Sequence, residues 1–206
     1  PTGSGKTMAA MLPLLHRCLI EGWQGMSILY ITPLRALNRD VDRRLDEITN
    51  AVGLSLGLRH GDTTQSERNK QVRKPPNVMI TTPETFQIMF TGSRLRELLK
   101  SIQAVVIDEL HEMADGERGW QLSVGISRLE SFIGREVQKI GLSATVGNPE
   151  QVAKWLSKDA ESIVAKAPRS TELSVDAVIQ MPEDEVGSLE LAISPRAHAT
   201  LRGLAD

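Results

Sequence analysis

The feature that most restricts how this chain can fold is an alternation: short apolar runs recur along it, each separated from the next by a longer stretch with helical periodicity. That is the signature of repeated strand-helix-strand units and a mostly parallel sheet. Strands are predicted at 27–32 (Ser-Ile-Leu-Tyr-Ile-Thr), 54–59, 77–81 (Asn-Val-Met-Ile-Thr), 103–108 (Gln-Ala-Val-Val-Ile-Asp), 138–143 and 162–166. Helices are predicted over 7–21, 35–50, 64–73, 83–90, 94–100, 119–134 and 148–157. In the first helix Met8, Met11, Leu12, Leu15, Cys18 and Leu19 recur at three-to-four spacing, so this stripe is expected to face the sheet. Pro13 interrupts the same helix, removes one backbone bond and predicts a bend. The expected product is an α/β domain, a doubly wound, mostly parallel sheet with helices on both faces.

Composition narrows the setting. At 206 residues, with 40% apolar and 24% charged residues, the chain can bury a core without disulfides or structural metal, and disordered, collagenous and coiled-coil classes are excluded. A lone cysteine, Cys18, can form neither an internal disulfide nor a zinc site, which suggests a reducing compartment and makes the cytoplasm the expected location. No run of about 18 apolar residues and no charged-then-apolar leader is present, so no membrane partner is expected. Lys and Arg number 24 against 26 Asp and Glu, so a nucleic-acid partner would have to be held by local groups, not by a basic whole-domain field. From residue 168 the texture changes to one further strand-like run, a proline-led acidic stretch and a weak helix. Two units are expected, 1–167 and 168–206, the second being the start of a longer one.

Two constellations carry chemistry. Gly3, Ser4, Gly5, Lys6 and Thr7 match the end of a GxxxxGKT phosphate loop, in which glycines bare backbone N–H groups and the following helix presents its positive end. Thr2 to Thr7 would cradle the phosphates of ATP, Lys6 reaching the β- and γ-phosphates and the Thr7 hydroxyl binding Mg2+. The pattern's first glycine and its leading strand would lie before Pro1, and the same residues also suit an ordinary flexible turn before a helix. The second constellation, Val105-Val106-Ile107-Asp108-Glu109-Leu110-His111, is an apolar run ending in adjacent carboxylates. Ligands of open parallel sheets collect beyond the carboxyl ends of strands. There Asp108 would hold the metal and Glu109 would orient and deprotonate an attacking water. An acidic cap on the next helix is the plainer alternative.

Together these residues resemble a known family. Pro1 to Thr7 is similar to helicase motif I, Thr32 to Leu37 (Thr-Pro-Leu-Arg-Ala-Leu) to motif Ia and Thr82-Pro83-Glu84 to motif Ib. Asp108 to His111 resembles the DExH form of motif II and Ser143-Ala144-Thr145 motif III, all in the order of superfamily 2 helicases and spanning about residues 1 to 157. Arg59-His60-Gly61-Asp62-Thr63, then Ser66-Glu67-Arg68 and Pro75-Pro76, is similar to the large helicase-related (Lhr) group.

The resemblance implies a RecA-like first motor domain, with ATP and Mg2+ as cofactors. It also implies a single strand of DNA or RNA with a duplex to unwind as partner, and a second RecA-like domain that supplies an arginine to the reaction. His111 would link the metal carboxylates to Ser143, Ala144 and Thr145. Pro33, Leu34 and Arg35, with Thr82, Pro83 and Glu84, would contact the strand's phosphates through backbone amides and hydroxyls. Read without the family, the Thr-Pro pairs are ordinary helix starts, and the hydroxyls of Ser143 and Thr145 are helix caps. Arg35, Arg39 and the cluster Arg68, Lys70, Arg73 and Lys74 could add attraction or form a solvated face. Arg118, in a segment matching the same group, has no assigned role. Trp23, Trp120 and Trp155 are expected to be packing anchors. Two other classes remain open: a phosphate-loop ATPase for transport or protein remodelling, and a non-catalytic nucleic-acid-binding module.

Overall fold

Three of the predicted apolar runs become strands buried at every position: β1 (Ile28–Ile31), β3 (Val78–Thr81) and β4 (Ala104–Ile107). Such uninterrupted burial is what a parallel strand covered on both faces requires. The computed structural model describes residues 5–33, 39–114, 116–143 and 149–164. Within them the chain runs α1 (Lys6–Ile20), β1, α2 (Arg39–Ala51), β2 (Leu56–Arg59), α3 (Gln65–Arg73), β3, α4 (Pro83–Met89) and α5 (Ser93–Leu98). It continues through β4, α6 (Leu110–Ala114), α7 (Glu117–Ile133), β5 (Gln138–Gly141) and α8 (Pro149–Leu156). The five strands are parallel in the order β2-β3-β1-β4-β5. The half-buried strands β2 and β5 lie at the edges.

Register sorts the strand side chains into two cores. Ile28 pairs with Val78 and Ala104, and Tyr30 with Ile80 and Val106. These six point to one face, where Ala10, Met11, Leu14, Leu15 and Cys18 of α1 and Leu45 of α2 cover them. Leu29, Ile31, Met79, Val105 and Ile107 point to the other, against α4, α5, α6 and α7. The alternation is the period-two geometry of strands applied to runs apolar at every position. The chain leaves β1 towards β2 on one side and returns from β3 to β4 on the other, so the strand order reverses between β1 and β4. Beyond the carboxyl ends of that pair lies the crevice where doubly wound sheets bind ligands.

Several expectations are corrected. The inward stripe of α1 is Ala10, Met11, Leu14, Leu15 and Cys18, whereas Leu12 and Leu19 are 50% and 46% exposed. The helix begins at Lys6 and runs through Pro13, and packing against β1 and β3 selects the face that brings Leu14 inward. Residues 162–164 form no strand, and 165–166 lie outside the described residues. Helix α6 was not predicted, since five residues are too few to show a period. Trp23 and Trp155 do pack at the margins of the two cores. Trp120 is 69% exposed, because Gly119 and Leu122 take the inward positions of α7 instead. Among the described residues no helix is long and apolar enough to cross a membrane.

Candidate functional site

The site is assembled at the carboxyl edge of β1, β4 and β5 with the start of α1. Gly5 caps α1 in the left-handed region (φ 76°), and a side chain built there would meet nothing within 4 Å. Glycine is therefore required at this position by conformation, not crowding. The turn turns Lys6 inward along the sheet edge, where its Nζ donates to the Ser143 carbonyl at 2.8 Å, 137 residues away.

Asp108 follows β4 directly, and its N–H extends the ladder by donating to the Ile31 carbonyl at 2.8 Å. Its side chain is held from two sides: Oδ1 accepts from the Glu109 N–H at 2.9 Å, and Oδ2 accepts from the Tyr30 hydroxyl at 2.6 Å. Burial and the Asp108 carboxylate push the Tyr30 phenol above its ordinary value, so the phenol keeps its proton and acts as donor.

Glu109 is the sole non-glycine with positive φ (49°) among the described residues. Left-handed backbone costs a side-chain-bearing residue about 1–2 kcal/mol and persists where surroundings over-determine it. Here the Leu110 N–H donates to the Leu142 carbonyl, the Leu142 N–H to the Ile107 carbonyl, and the Glu112 N–H to the Glu109 carbonyl, each at 2.8 Å. The bend starts α6 and sets His111 between two partners. Its Nδ1 lies 3.1 Å from the Ser143 Oγ and 3.4 Å from the Glu109 Oε2.

A continuous set of contacts therefore joins Lys6, Ser143, His111, Glu109, Asp108 and Tyr30, drawn from four separate stretches of sequence. Chemically it offers a cation at a helix start, two carboxylates of which one is pinned, and a hydroxyl at Thr7. Among the described residues no cluster of three or more acidic, histidine or cysteine side chains could hold a metal by itself. A carboxylate and a hydroxyl are nevertheless the hard oxygen donors that magnesium takes when phosphates and water complete its shell. Thr2, Gly3, Ser4, Leu34, Arg35, Ala144 and Thr145 lie outside the described residues.

The remaining candidates gather further along the same sheet edge. Pro33 is buried just past β1. Thr82 caps α4, accepting from the Thr85 N–H at 3.3 Å, and Pro83 occupies the first helical turn. Thr82 is 4% exposed, so its hydroxyl serves the helix start and faces inward. Glu84 is half exposed and pairs with Arg118 of α7, whose Nε donates at 2.8 Å. Burial alone would raise the Glu84 carboxyl, but the guanidinium outweighs it and holds the group below its usual range. Sequence reasoning gave Arg118 and Tyr30 no role: a pairing 34 residues apart and a phenol inside an apolar run leave no local signal.

The expected basic cluster divides. Arg68 is committed to a clamp, donating to the carbonyls of Thr63, His60 and Gly61 at 2.8, 3.1 and 2.8 Å. Lys70, Arg73 and Lys74 are exposed.

A five-stranded parallel sheet with an acid pair beyond β4 and a lysine at the start of α1 defines a RecA-like α/β domain of the phosphate-loop type. The family model for DEAD/DEAH box helicases matches residues 1–152, and the chain belongs to that family. It is 37% identical to the Lhr helicase/uracil glycosylase of Escherichia coli (strain K12), over 98% of this chain and 15% of that protein. It is also 37% identical to the ATP-dependent helicase Lhr-Core of Methanothermobacter thermautotrophicus, over 90% of this chain and 24% of that protein. Among solved structures, Mycobacterium smegmatis helicase Lhr bound to ssDNA and AMP-PNP superposes with a TM-score of 0.72 at 33% identity. That match covers 98% of this chain and 28% of the other. The chain thus spans between 15% and 28% of these relatives.

Proposed function

We propose that this chain is the ATP-binding first motor domain of a helicase that couples ATP hydrolysis to movement along one nucleic-acid strand and to duplex unwinding. Residues 1–167 would form the RecA-like unit and 168–206 lead towards the next. The observation that carries this reading is the contact set running from Lys6 through Ser143 and His111 to Glu109 and Asp108. Two groups that must act on one triphosphate share a sheet edge although about a hundred residues separate them in sequence.

In this reading the loop from Thr2 to Thr7 receives the phosphates on backbone N–H groups. Lys6 exchanges the Ser143 carbonyl for phosphate oxygens. Thr7 and Asp108 would hold magnesium, which would supply positive charge to offset the charge that develops on the phosphates. Glu109, turned by its left-handed backbone away from the line of β4, orients the attacking water and takes its proton. His111 bridges Glu109 to Ser143. A change in Lys6 or Glu109 is thereby felt at the segment Ser143, Ala144 and Thr145, and from there at the strand. Pro33, Leu34 and Arg35 with Thr82, Pro83 and Glu84 would follow strand phosphates through backbone groups, as a sequence-tolerant motor requires. An arginine from a second RecA-like domain would complete the charge stabilisation. The presence of ssDNA and AMP-PNP in the M. smegmatis Lhr structure favours this reading over a transport or remodelling ATPase.

The test is ATP turnover by the intact protein with and without single-stranded DNA or RNA. Turnover should rise with the strand, and Glu109→Gln should lower kcat by about 100-fold or more while nucleotide still binds. An enzyme indifferent to both strand types, or a Glu109→Gln variant turning over normally, would refute the assignment.

A further inference from the structure

Tyr30 is out of keeping with its layer. Its neighbours on that face of the sheet are Ile28, Val78, Ile80, Ala104 and Val106, and its register partners are Ile80 and Val106, all aliphatic. The tyrosine is buried, at 1% exposure, and a buried hydroxyl without a partner costs about 1–3 kcal/mol. Phenylalanine would fill the same space without that demand, so packing alone does not account for tyrosine. What the hydroxyl does is donate to Asp108 Oδ2 at 2.6 Å, across the β1–β4 seam, while the adjacent N–H of Glu109 takes Oδ1. Thr7, in the first turn of α1, lies near enough to influence the same phenol electrostatically.

We infer that Tyr30 is a positioning residue for the metal site: its hydroxyl fixes the rotation of the Asp108 carboxylate so that the remaining lone pairs face a magnesium ion shared with Thr7. The inference rests on the proposed reading of Asp108 and Thr7 as metal ligands. A carboxylate held at one oxygen alone can turn about its terminal torsion, which is broad. Held at both, it presents one geometry, and each oxygen retains acceptor capacity for a cation or its water. The donors come from two elements, the turn after β4 and the middle of β1, so the orientation is built into the sheet. Hydrogen-bond partners of ligating groups commonly matter about 10–100-fold in metal affinity.

The experiment measures binding of AMP-PNP to the intact protein, in EDTA and across a magnesium titration, for the unaltered protein and Tyr30→Phe. The ring is kept and only the hydroxyl is lost, and a melting curve checks the fold. Tyr30→Phe is expected to leave affinity in EDTA unchanged and to raise the magnesium concentration needed for half its effect by about tenfold or more. With Mn2+ as probe, the electron paramagnetic resonance lines of the bound ion should broaden differently in the variant. A double variant with Asp108→Asn should be no worse in magnesium than Asp108→Asn alone, since both changes remove one interaction.

An unchanged magnesium requirement in Tyr30→Phe overturns the inference and leaves the site reading standing. An equal loss of affinity with and without magnesium also overturns it, since that is the mark of packing. If the unaltered protein gains nothing from magnesium, the reading of Asp108 and Thr7 as metal ligands falls, and this inference falls with it.

Discussion

Arg118 and Glu84 show how little energy a single contact can carry while still deciding what a surface presents. Both side chains are more than half exposed, and exposed pairs contribute about 0–1 kcal/mol. Stability is therefore not where the pair acts. Glu84 stands at the start of α4, where the proposed strand contact needs positive potential from backbone N–H groups, and a lone carboxylate there would repel phosphate. Arg118→Ala should consequently weaken single-strand binding several-fold, most at low salt where screening is least, while unfolding free energy moves by less than about 1 kcal/mol. Fluorescence anisotropy with a labelled oligonucleotide at two salt concentrations, beside a urea melt, separates the two effects. Strand affinity unchanged at low salt would remove Arg118 from the interface. The next residue, Gly119, answers to crowding: a Cβ there would lie 1.6 Å from the Met113 carbonyl oxygen, so α6 and α7 can approach only across a glycine.

Among the elements, α1 shows how packing chooses between faces that periodicity leaves nearly equivalent. Leucines at 12, 14, 15 and 19 offer more than one apolar stripe, and the sequence predicts one containing Leu12. The sheet takes Leu14, which joins Tyr30 and Val106 in the same core. Leu14→Ala should cost about 2–5 kcal/mol, whereas Leu12→Ala, half exposed, should stay within about 0.5 kcal/mol. Chemical denaturation of both variants provides the check, and equal losses would place the helix in a different rotation. The strands were easier to foresee, because runs apolar at every position fit a sheet covered on both faces and little else. Helix α6 was not foreseen: what starts it is the left-handed Glu109 and the hydrogen bond from Leu110 to Leu142, neither of which is a local pattern.

At the scale of the whole molecule, the chain spans a small share of its relatives. The reaction proposed for it closes with an arginine from a second domain, and removing such electrostatic stabilisation costs about 100-fold or more in rate. The 206 residues alone should bind nucleotide, hydrolyse it slowly and separate no strands. A fluorescence-quenched duplex with a single-stranded tail reads this directly, and unwinding by these residues would show that no partner domain is needed.

The class of fold, the order of the motifs and the residue types available for chemistry are legible along the chain, because apolar runs, a glycine-rich turn and an acid pair are local patterns with local causes. The tertiary structure alone decided that Lys6 meets Ser143, that His111 stands between Ser143 and Glu109, and that Tyr30 reaches Asp108. It also decided that Arg118 holds Glu84. Each of these depends on which strands lie side by side and in what register, and that is set by the simultaneous burial of two sheet faces, a condition that no short stretch of the chain contains.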